Sequence, residues 1–185
     1  MTSASSGATS RIAVLVAAEG IEQVELTQPW QALQEAGWQP VLVSPEEGKV
    51  QAFNHLEAAD TFPVDQTVAQ ADVEDFAGLL LPGGVANPDA LRLDAGAVDL
   101  VRAFSAKGLP TAAICHAIWL LVEADVVRDR TVTSFPSLQT DVRNAGGTWV
   151  DEEVVVDGHL VTSRTPDDLP AFDEAFLRLL GEGQA

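Results

Sequence analysis

The sequence predicts an α/β protein, a three-layer α/β/α sandwich with a mostly parallel sheet and a C-terminal β-hairpin. Three observations predict it. Short, continuous apolar runs recur along the chain, helix-length segments separate them, and the stretch TWVDEEVVVDGHLVTS carries Asp157-Gly158 near the C-terminal end. A continuous apolar run is what a strand buried on both faces looks like. Alternation of such runs with helices marks parallel βαβ units. Asp-Gly between two strand-like halves marks a hairpin turn.

The elements follow in order. IAVLVA, residues 12–17, reads as the first buried strand. Residues 22–36 place Val24, Trp30 and Leu33 at near-helical spacing and stop at Gly37. Pro29 is expected to kink this helix or to start a second one. VLVS, residues 41–44, is a second strand, and residues 50–76 are ambiguous, with short strands near Val50 and Phe62. AGLLL, residues 77–81, is a strand closed by Pro82-Gly83-Gly84. Asn87-Pro88-Asp89 reads as a helix start, with a capping side chain, a proline in the first turn and an acid on the helix dipole. The stripe Leu100, Val101 and Phe104 continues that helical region to Gly108. PTAAI, residues 110–114, precedes a helix over 116–123. A strand at 131–134 precedes a helix that stops at Gly146-Gly147, and a helix over 168–180 follows the hairpin.

Composition narrows the function. The chain has 185 residues, which fits one domain, 11–185, behind a small polar tail, MTSASSGATS, over 1–10. That tail lacks the basic start and apolar core of a signal peptide. A single cysteine excludes an internal disulfide and fits a reducing, cytoplasmic setting. No apolar run reaches the length of a membrane span. The net charge is −18. Nucleic acid and anionic membranes are therefore unexpected partners, because both are held by lysine and arginine. No close group of Cys, His and acids has ligand spacing, so neither metal nor cofactor is expected.

Chemistry points to TAAICHAIWLL, residues 111–121, where the one cysteine, Cys115, sits beside His116 at a strand-to-helix junction. Backbone N–H groups at a helix start favour thiolate, so the Cys115 pKa is expected to fall below its usual value of roughly 8.5. A sharp turn of this kind exposes a nucleophile. The next backbone N–H and the Gly83-Gly84 loop are placed to hold an oxyanion. In an open α/β sheet, ligands bind beyond the carboxyl ends of the strands. There the Glu19 to Glu25 region, Gly83-Gly84 and Cys115-His116 are expected to meet. A free cysteine is more often a small buried apolar group; the adjacent histidine, the junction and the Gly-Gly loop weigh against that reading here.

AICHA after an apolar strand, LLLPGG before it and GIEQVEL after the first strand resemble the PfpI/ThiJ (DJ-type) superfamily, closest to its PfpI-like branch of intracellular cysteine proteases and deglycases. NPDALR, NAGGTWVDEEVVVDG and SRTPDDLPAF extend the resemblance over nearly the whole chain after the tail. It implies the flavodoxin-like form of the sandwich and a nucleophilic Cys115. It assigns Glu22 as the carboxyl against the sulfur, although Glu19 and Glu25 are equal candidates on charge alone. It gives Gly84 and His116 as the oxyanion-binding amides. It also implies a homodimer or larger homo-oligomer in which Asp89 of a neighbouring subunit orients His116. One departure stands out: the family often continues Cys-His-Gly-Pro, whereas this chain has Ala117-Ile118.

The implied activity is a stress-response hydrolase attacking carbonyl substrates, either methylglyoxal and its glycated adducts or peptides. A narrow elbow pocket would favour the small aldehyde or adduct. The alternative is a non-catalytic redox-sensing or chaperone-like stress protein with Cys115 as its switch. Glutamine amidotransfer ranks below both, because His159-Leu160-Val161 lacks the acid that chemistry calls for.

Overall fold

The computed structural model describes residues 9–183. Its strands are β1 (Arg11–Leu15), β2 (Glu19–Glu22), β3 (Gln39–Ser44), β4 (Lys49–Asn54), β5 (Glu57–Pro63), β6 (Gln66–Thr67), β7 (Gly78–Leu81), β8 (Thr111–Ile114), β9 (Thr131–Val132), β10 (Thr148–Trp149), β11 (Val154–Asp157) and β12 (Leu160–Ser163). Its α-helices are α1 (Gln23–Glu35), α2 (Ala86–Leu91), α3 (Ala95–Ala106), α4 (Ile118–Glu123), α5 (Gln139–Asn144) and α6 (Leu169–Glu182).

The main sheet has the order β11-β12-β8-β7-β1-β3-β6. All its pairs are parallel except β11 with β12. Central β1 shows why a continuous apolar run was needed. Ala13 and Leu15 face a core built with Leu91, Val98, Phe104, Ile118 and Val142 from α2 to α5. Ile12 and Val14 face a second core built with Leu26 and Leu33 of α1 and Phe172 and Phe176 of α6. Helices thus cover both faces, as the alternation predicts. A second sheet, β2-β4-β5, and a parallel pair, β9-β10, lie outside the main one.

Several local expectations need correction. Pro29 does not start a second helix; it lies buried inside α1 with Leu26 and Leu33. Burial of that face outweighs the loss of one backbone hydrogen bond. The helical region after Pro82-Gly83-Gly84 is two helices, with Asp94 capping α3 by accepting from the Ala97 N–H at 2.8 Å. Asn87 is not a cap but a fully buried residue within α2. The hairpin loop is Gly158-His159, one residue later than read, since Asp157 still pairs with Leu160. Of the expected tail, residues 1–8 lie outside the described residues. Thr9 and Ser10 are tied to the fold, through Thr9 Oγ1 to the Asp75 carbonyl and the Gln39 N–H to the Ser10 carbonyl, both 2.8 Å. No helix among the described residues is long and apolar enough to cross a membrane.

Candidate active site

Chain order leaves β1 for β3 on one side and later returns to β7 on the other, so the sheet's order reverses beside β1. Ligands bind where such a sheet reverses, beyond the strand ends. Three segments converge there: β2 and the start of α1, the loop after β7, and the turn after β8. Together with the tip of the β4–β5 hairpin they enclose a cavity of about 540 Å³. Glu19, Glu22, Glu25, Gly84, Cys115 and His116 all line it.

Cys115 sits on the turn with φ +64°, a conformation that costs a non-glycine residue about 1–3 kcal/mol. The bend is held by the Phe135 N–H, which donates to the Cys115 carbonyl at 3.2 Å. A short 3₁₀ turn over Cys115–Ala117 leads into α4. This geometry aims the sulfur back at the loop after β7. Gly84 and His116 turn their N–H groups towards it. Gly84 has φ +85°, and a Cβ there would overlap the Gly20 carbonyl. A Cβ on Gly83 would overlap Glu25 Oε2 and stand 2.7 Å from Cys115 Cβ. Two glycines are therefore the condition for bringing loop, carboxyl and sulfur together.

His116 Nδ1 lies 3.2 Å from Cys115 Sγ. Consecutive side chains seldom meet on a helix; here the strained turn at Cys115 brings them together. The imidazole stacks on Phe135, with centroids 4.5 Å apart, and meets Trp119 edge-on at 5.3 Å. Ser137 Oγ is 3.5 Å from Nε2. Burial lowers the His116 pKa, which favours the neutral ring at neutral pH; Nδ1, the nitrogen beside the sulfur, accepts a proton in the tautomer that carries its hydrogen on Nε2.

The carboxyl against the sulfur belongs to Glu25, not Glu22. Glu25 is 0 % exposed, and neither of its oxygens has a hydrogen bond of ordinary geometry. Burial, reinforced by the Glu22 charge, pushes its pKa up to about 8, against the weaker opposing pull of Cys115 and the Gly83 and Gly84 amides. At pH 7 Glu25 is protonated. The thiol also departs from expectation. Burial, then the adjacent Glu25, pushes Cys115 up rather than down, and the His116 and Gly84 amides offset only part of this. The resting pair is thus proton-rich, and ionisation belongs to the pair rather than to either group.

Glu22 lies at the end of β2, immediately before α1, in extended backbone. Its carboxylate turns to the β4–β5 hairpin and accepts the His55 N–H at 3.1 Å. Asp89 is exposed on α2 and does not line the cavity. Asn87 was missed by sequence reasoning. Its Oδ1 accepts the Ala17 N–H at 2.7 Å, and its Nδ2 donates to the Pro82 and Gly83 carbonyls at 2.8 and 3.1 Å. It clamps the glycine loop to the end of β1. The only sequence signal was an Asn-Pro pair, which reads equally well as a helix cap. No group of three or more His, Cys, Asp or Glu among the described residues is arranged to hold a metal ion.

Comparison with known proteins identifies the family. Residues 10–179 match the profile of the DJ-1/PfpI family. The chain is 44 % identical over 172 residues to protein/nucleic acid deglycase 2 of Escherichia coli, covering 92 % of this chain and 98 % of that protein. It is 39 % identical over 170 residues to YraA of Bacillus subtilis, provisionally named a cysteine protease, covering 92 % and 98 %. Among solved structures it resembles a two-domain protein from Anabaena variabilis containing DJ-1/ThiJ/PfpI-like and ferritin-like domains. The TM-score is 0.87 and the identity 32 %; the match covers 94 % of this chain but only 48 % of the other, so the chain spans about half of that protein. With a matched profile over most of its length and close relatives covered almost end to end, this chain belongs to the DJ-1/PfpI family.

Proposed function

We propose that the chain is a cysteine-dependent hydrolase of the deglycase type, acting on reactive carbonyl compounds and their adducts. One observation carries the reading: a lone thiol 3.2 Å from a neutral imidazole, on the floor of a cavity, with two backbone amides turned to the sulfur. His116 Nδ1 takes the thiol proton as sulfur adds to the carbonyl carbon. The C=O π pair moves onto oxygen, and the Gly84 and His116 amides are the groups placed to stabilise it. His116 then returns the proton to the alkoxide of an aldehyde, or to the departing amine of an adduct, leaving a hemithioacetal on sulfur. Transfer of the hemithioacetal's C–H proton to the neighbouring carbonyl carbon turns this into a thioester. Water adds to the thioester carbon, breaks the C–S bond and frees the acid and the thiol. Glu25, neutral at pH 7, avoids a second negative charge beside the thiolate.

The choice of carbonyl over peptide rests on electrophilicity. A thiol held protonated by burial is a weak resting nucleophile, and an aldehyde or its adduct asks less of it than an amide does. The deglycase name of the Escherichia coli relative favours the same choice. The expected narrow pocket does not carry it, because the cavity has a volume of about 540 Å³. In this proposal the protein works as a homo-oligomer, with exposed Asp89 of one copy facing His116 of the next.

The test is a side-by-side assay of methylglyoxal consumption, release of a glycated amino acid and peptide hydrolysis. Wild type should convert the first two, and Cys115→Ala should lose at least 100-fold, about 2.7 kcal/mol of barrier. Equal rates for the two proteins would remove the proposal; peptide hydrolysis alone would transfer it to the protease reading.

A further inference from the structure

A base beside a thiol is useful only in the right tautomer. The neutral His116 ring carries one hydrogen, and Nδ1 takes the thiol proton only when that hydrogen sits on Nε2. The ring cannot turn to choose. It is 7 % exposed, stacked on Phe135 and met edge-on by Trp119. A flip would present carbon to both polar neighbours, Cys115 Sγ and Ser137 Oγ. What holds the Nε2 hydrogen therefore decides whether the base is available. In a Ser-His-Asp arrangement a carboxylate does this. Among the described residues no carboxylate of the same chain pairs with His116; His55 with Glu22 is the one such pair.

The neighbour of Nε2 is Ser137, whose Oγ lies 3.5 Å away and has no other hydrogen bond among the described residues. The distance is long, as catalytic hydrogen bonds often are before substrate arrives. The hydroxyl is carried by a well-tied turn. The Phe135 N–H donates to the Cys115 carbonyl at 3.2 Å, and the N–H of fully buried Leu138 donates to the Phe135 carbonyl at 3.0 Å, leading into the 3₁₀ turn Pro136–Leu138. Ser134 Oγ donates to the same Phe135 carbonyl and accepts from Trp149 Nε1, both at 2.9 Å. One short segment, residues 134–137, thus holds the bend at Cys115, stacks on the imidazole and supplies the hydroxyl.

A hydroxyl alone does not choose, because it can accept from Nε2–H or donate to a bare Nε2. A second copy makes the choice. Ser137 is exposed where the ring is buried, so a carboxylate arriving from a neighbouring molecule meets the hydroxyl before it meets the ring. We infer that Ser137 is a positioning residue that relays the Asp89 carboxylate of the next copy to His116: its hydrogen goes to that carboxylate, so its oxygen accepts from Nε2–H and Nδ1 is left bare towards the sulfur. No proton travels along the relay. When Nδ1 takes the thiol proton the ring becomes cationic, the other hydrogen stays on Nε2, and its bond to Ser137 becomes charge-assisted. The inference rests on the proposed homo-oligomer and on Cys115 as nucleophile, but the tautomer is readable without any turnover.

The chain has three histidines, so ¹⁵N-histidine labelling gives a simple NMR spectrum in which His116→Gln assigns the His116 signals. In wild type at neutral pH the His116 hydrogen should sit on Nε2. Ser137→Ala should move it towards Nδ1, and Ser137→Thr, which keeps the hydroxyl, should hold it on Nε2. Ser137→Ala should lower kcat for methylglyoxal and the rate of Cys115 alkylation by iodoacetamide roughly 10-fold, part of the roughly 10²–10⁴-fold that a placed base supplies, with KM within about twofold. Ser137→Thr should restore both rates. Asp89→Ala should reproduce the loss, and the double variant should lose little more than Ser137→Ala alone, since a carboxylate acting through the hydroxyl has nothing to act on once the hydroxyl is gone. A hydrogen that stays on Nε2 in Ser137→Ala, or one that leaves it in Ser137→Thr as well, overturns the inference. Additive losses would seat Asp89 directly on the ring, and an inert Asp89→Ala or a strictly monomeric wild type in light scattering would leave the relay without its carboxylate; each overturns it equally. The expected tautomers with no carbonyl consumed by wild type keep the inference and remove the proposed activity. Turnover by wild type with Ser137→Ala unimpaired keeps the activity and overturns the inference.

Discussion

Glu25 and Cys115 are two acids that share one small buried space. Ionising either makes ionising the other harder, so protons leave the pair in two separated steps. With Glu25 raised to about 8 and the thiol raised as well, the first step belongs near pH 8 and the second well above it. Glu25→Gln removes one acid and leaves a neutral amide. The pH profile of Cys115 alkylation should collapse to a single step, and the variant should react roughly 10-fold faster than wild type at pH 9, the equivalent of about one pKa unit. Superimposable profiles would mean that Glu25 exerts no electrostatic influence on the sulfur.

The same region shows why Glu22, singled out by the resemblance where charge alone left Glu19, Glu22 and Glu25 equal, is not the carboxyl against the sulfur. Had α1 begun before Glu22, that residue would have shared a face with Leu26, Pro29 and Leu33, four, seven and eleven positions on. Instead Glu22 is extended and ends β2, which rotates it towards the hairpin. Glu25, in the first turn of the helix, takes the buried place. The helix boundary decided the assignment, and charge pattern does not show a boundary to within three residues.

At the scale of elements, the site depends on how one buried amide joins three of them. Asn87 connects the end of β1, the loop after β7 and α2 through three hydrogen bonds. Replacing it by leucine leaves the Ala17 N–H and the Pro82 carbonyl without the partner Asn87 supplies, and the Gly83 carbonyl with the Glu22 N–H at 3.4 Å alone, a loss of about 2–4 kcal/mol at roughly 1–3 kcal/mol per orphaned group with partial relaxation. Asn87→Asp keeps the shape and the acceptor but turns an oxygen towards two carbonyls. It should depress kcat more than it raises KM, since it displaces the Gly84 amide rather than the mouth of the cavity. Chemical denaturation and steady-state kinetics check the two effects separately. Unchanged kcat in a folded Asn87→Asp would reduce the residue to a structural clamp.

Element by element, legibility followed burial. β1, β3, β7 and β8 were readable because strands covered on both faces must be apolar throughout. β4 and β5 were blurred because β5 is largely exposed and their connection, His55-Leu56, contains no glycine; His55 takes the positive φ itself. The break between α2 and α3 was hidden, since Leu91 and the stripe from Val98 to Phe104 face one core on both sides of it.

For the molecule as a whole, buried acids set how stability varies with pH. Glu25 is raised from 4.5 to about 8 and Asp173 from 3.8 to about 6, in both cases first by burial. Between each group's unfolded and folded values the native state holds more protons than the unfolded chain. The contribution of these two groups is therefore fully present below the unfolded values and is lost as pH rises through the folded ones, from about 4 up to about 8. Asp173 tests this away from the site. Its Oδ2 accepts from Gln28 Nε2 at 3.3 Å, which an amide oxygen can still do, and its Oδ1 has no partner. Asp173→Asn should stabilise the protein by about 1–2 kcal/mol at pH 7, and the gain should vanish below pH 4. A gain independent of pH, read from urea unfolding at both values, would contradict it.

The amino-acid order by itself determined the sandwich, the junction carrying Cys115-His116 and the glycine loop facing it, because each is a local pattern of apolar runs, turns and small residues. Only the tertiary structure decided which carboxyl meets the sulfur, that the thiol is held protonated, and that Asn87 ties the loop in place. Those outcomes depend on distances between segments far apart in the chain and on the removal of water from charged groups, and neither is written in any single stretch of residues.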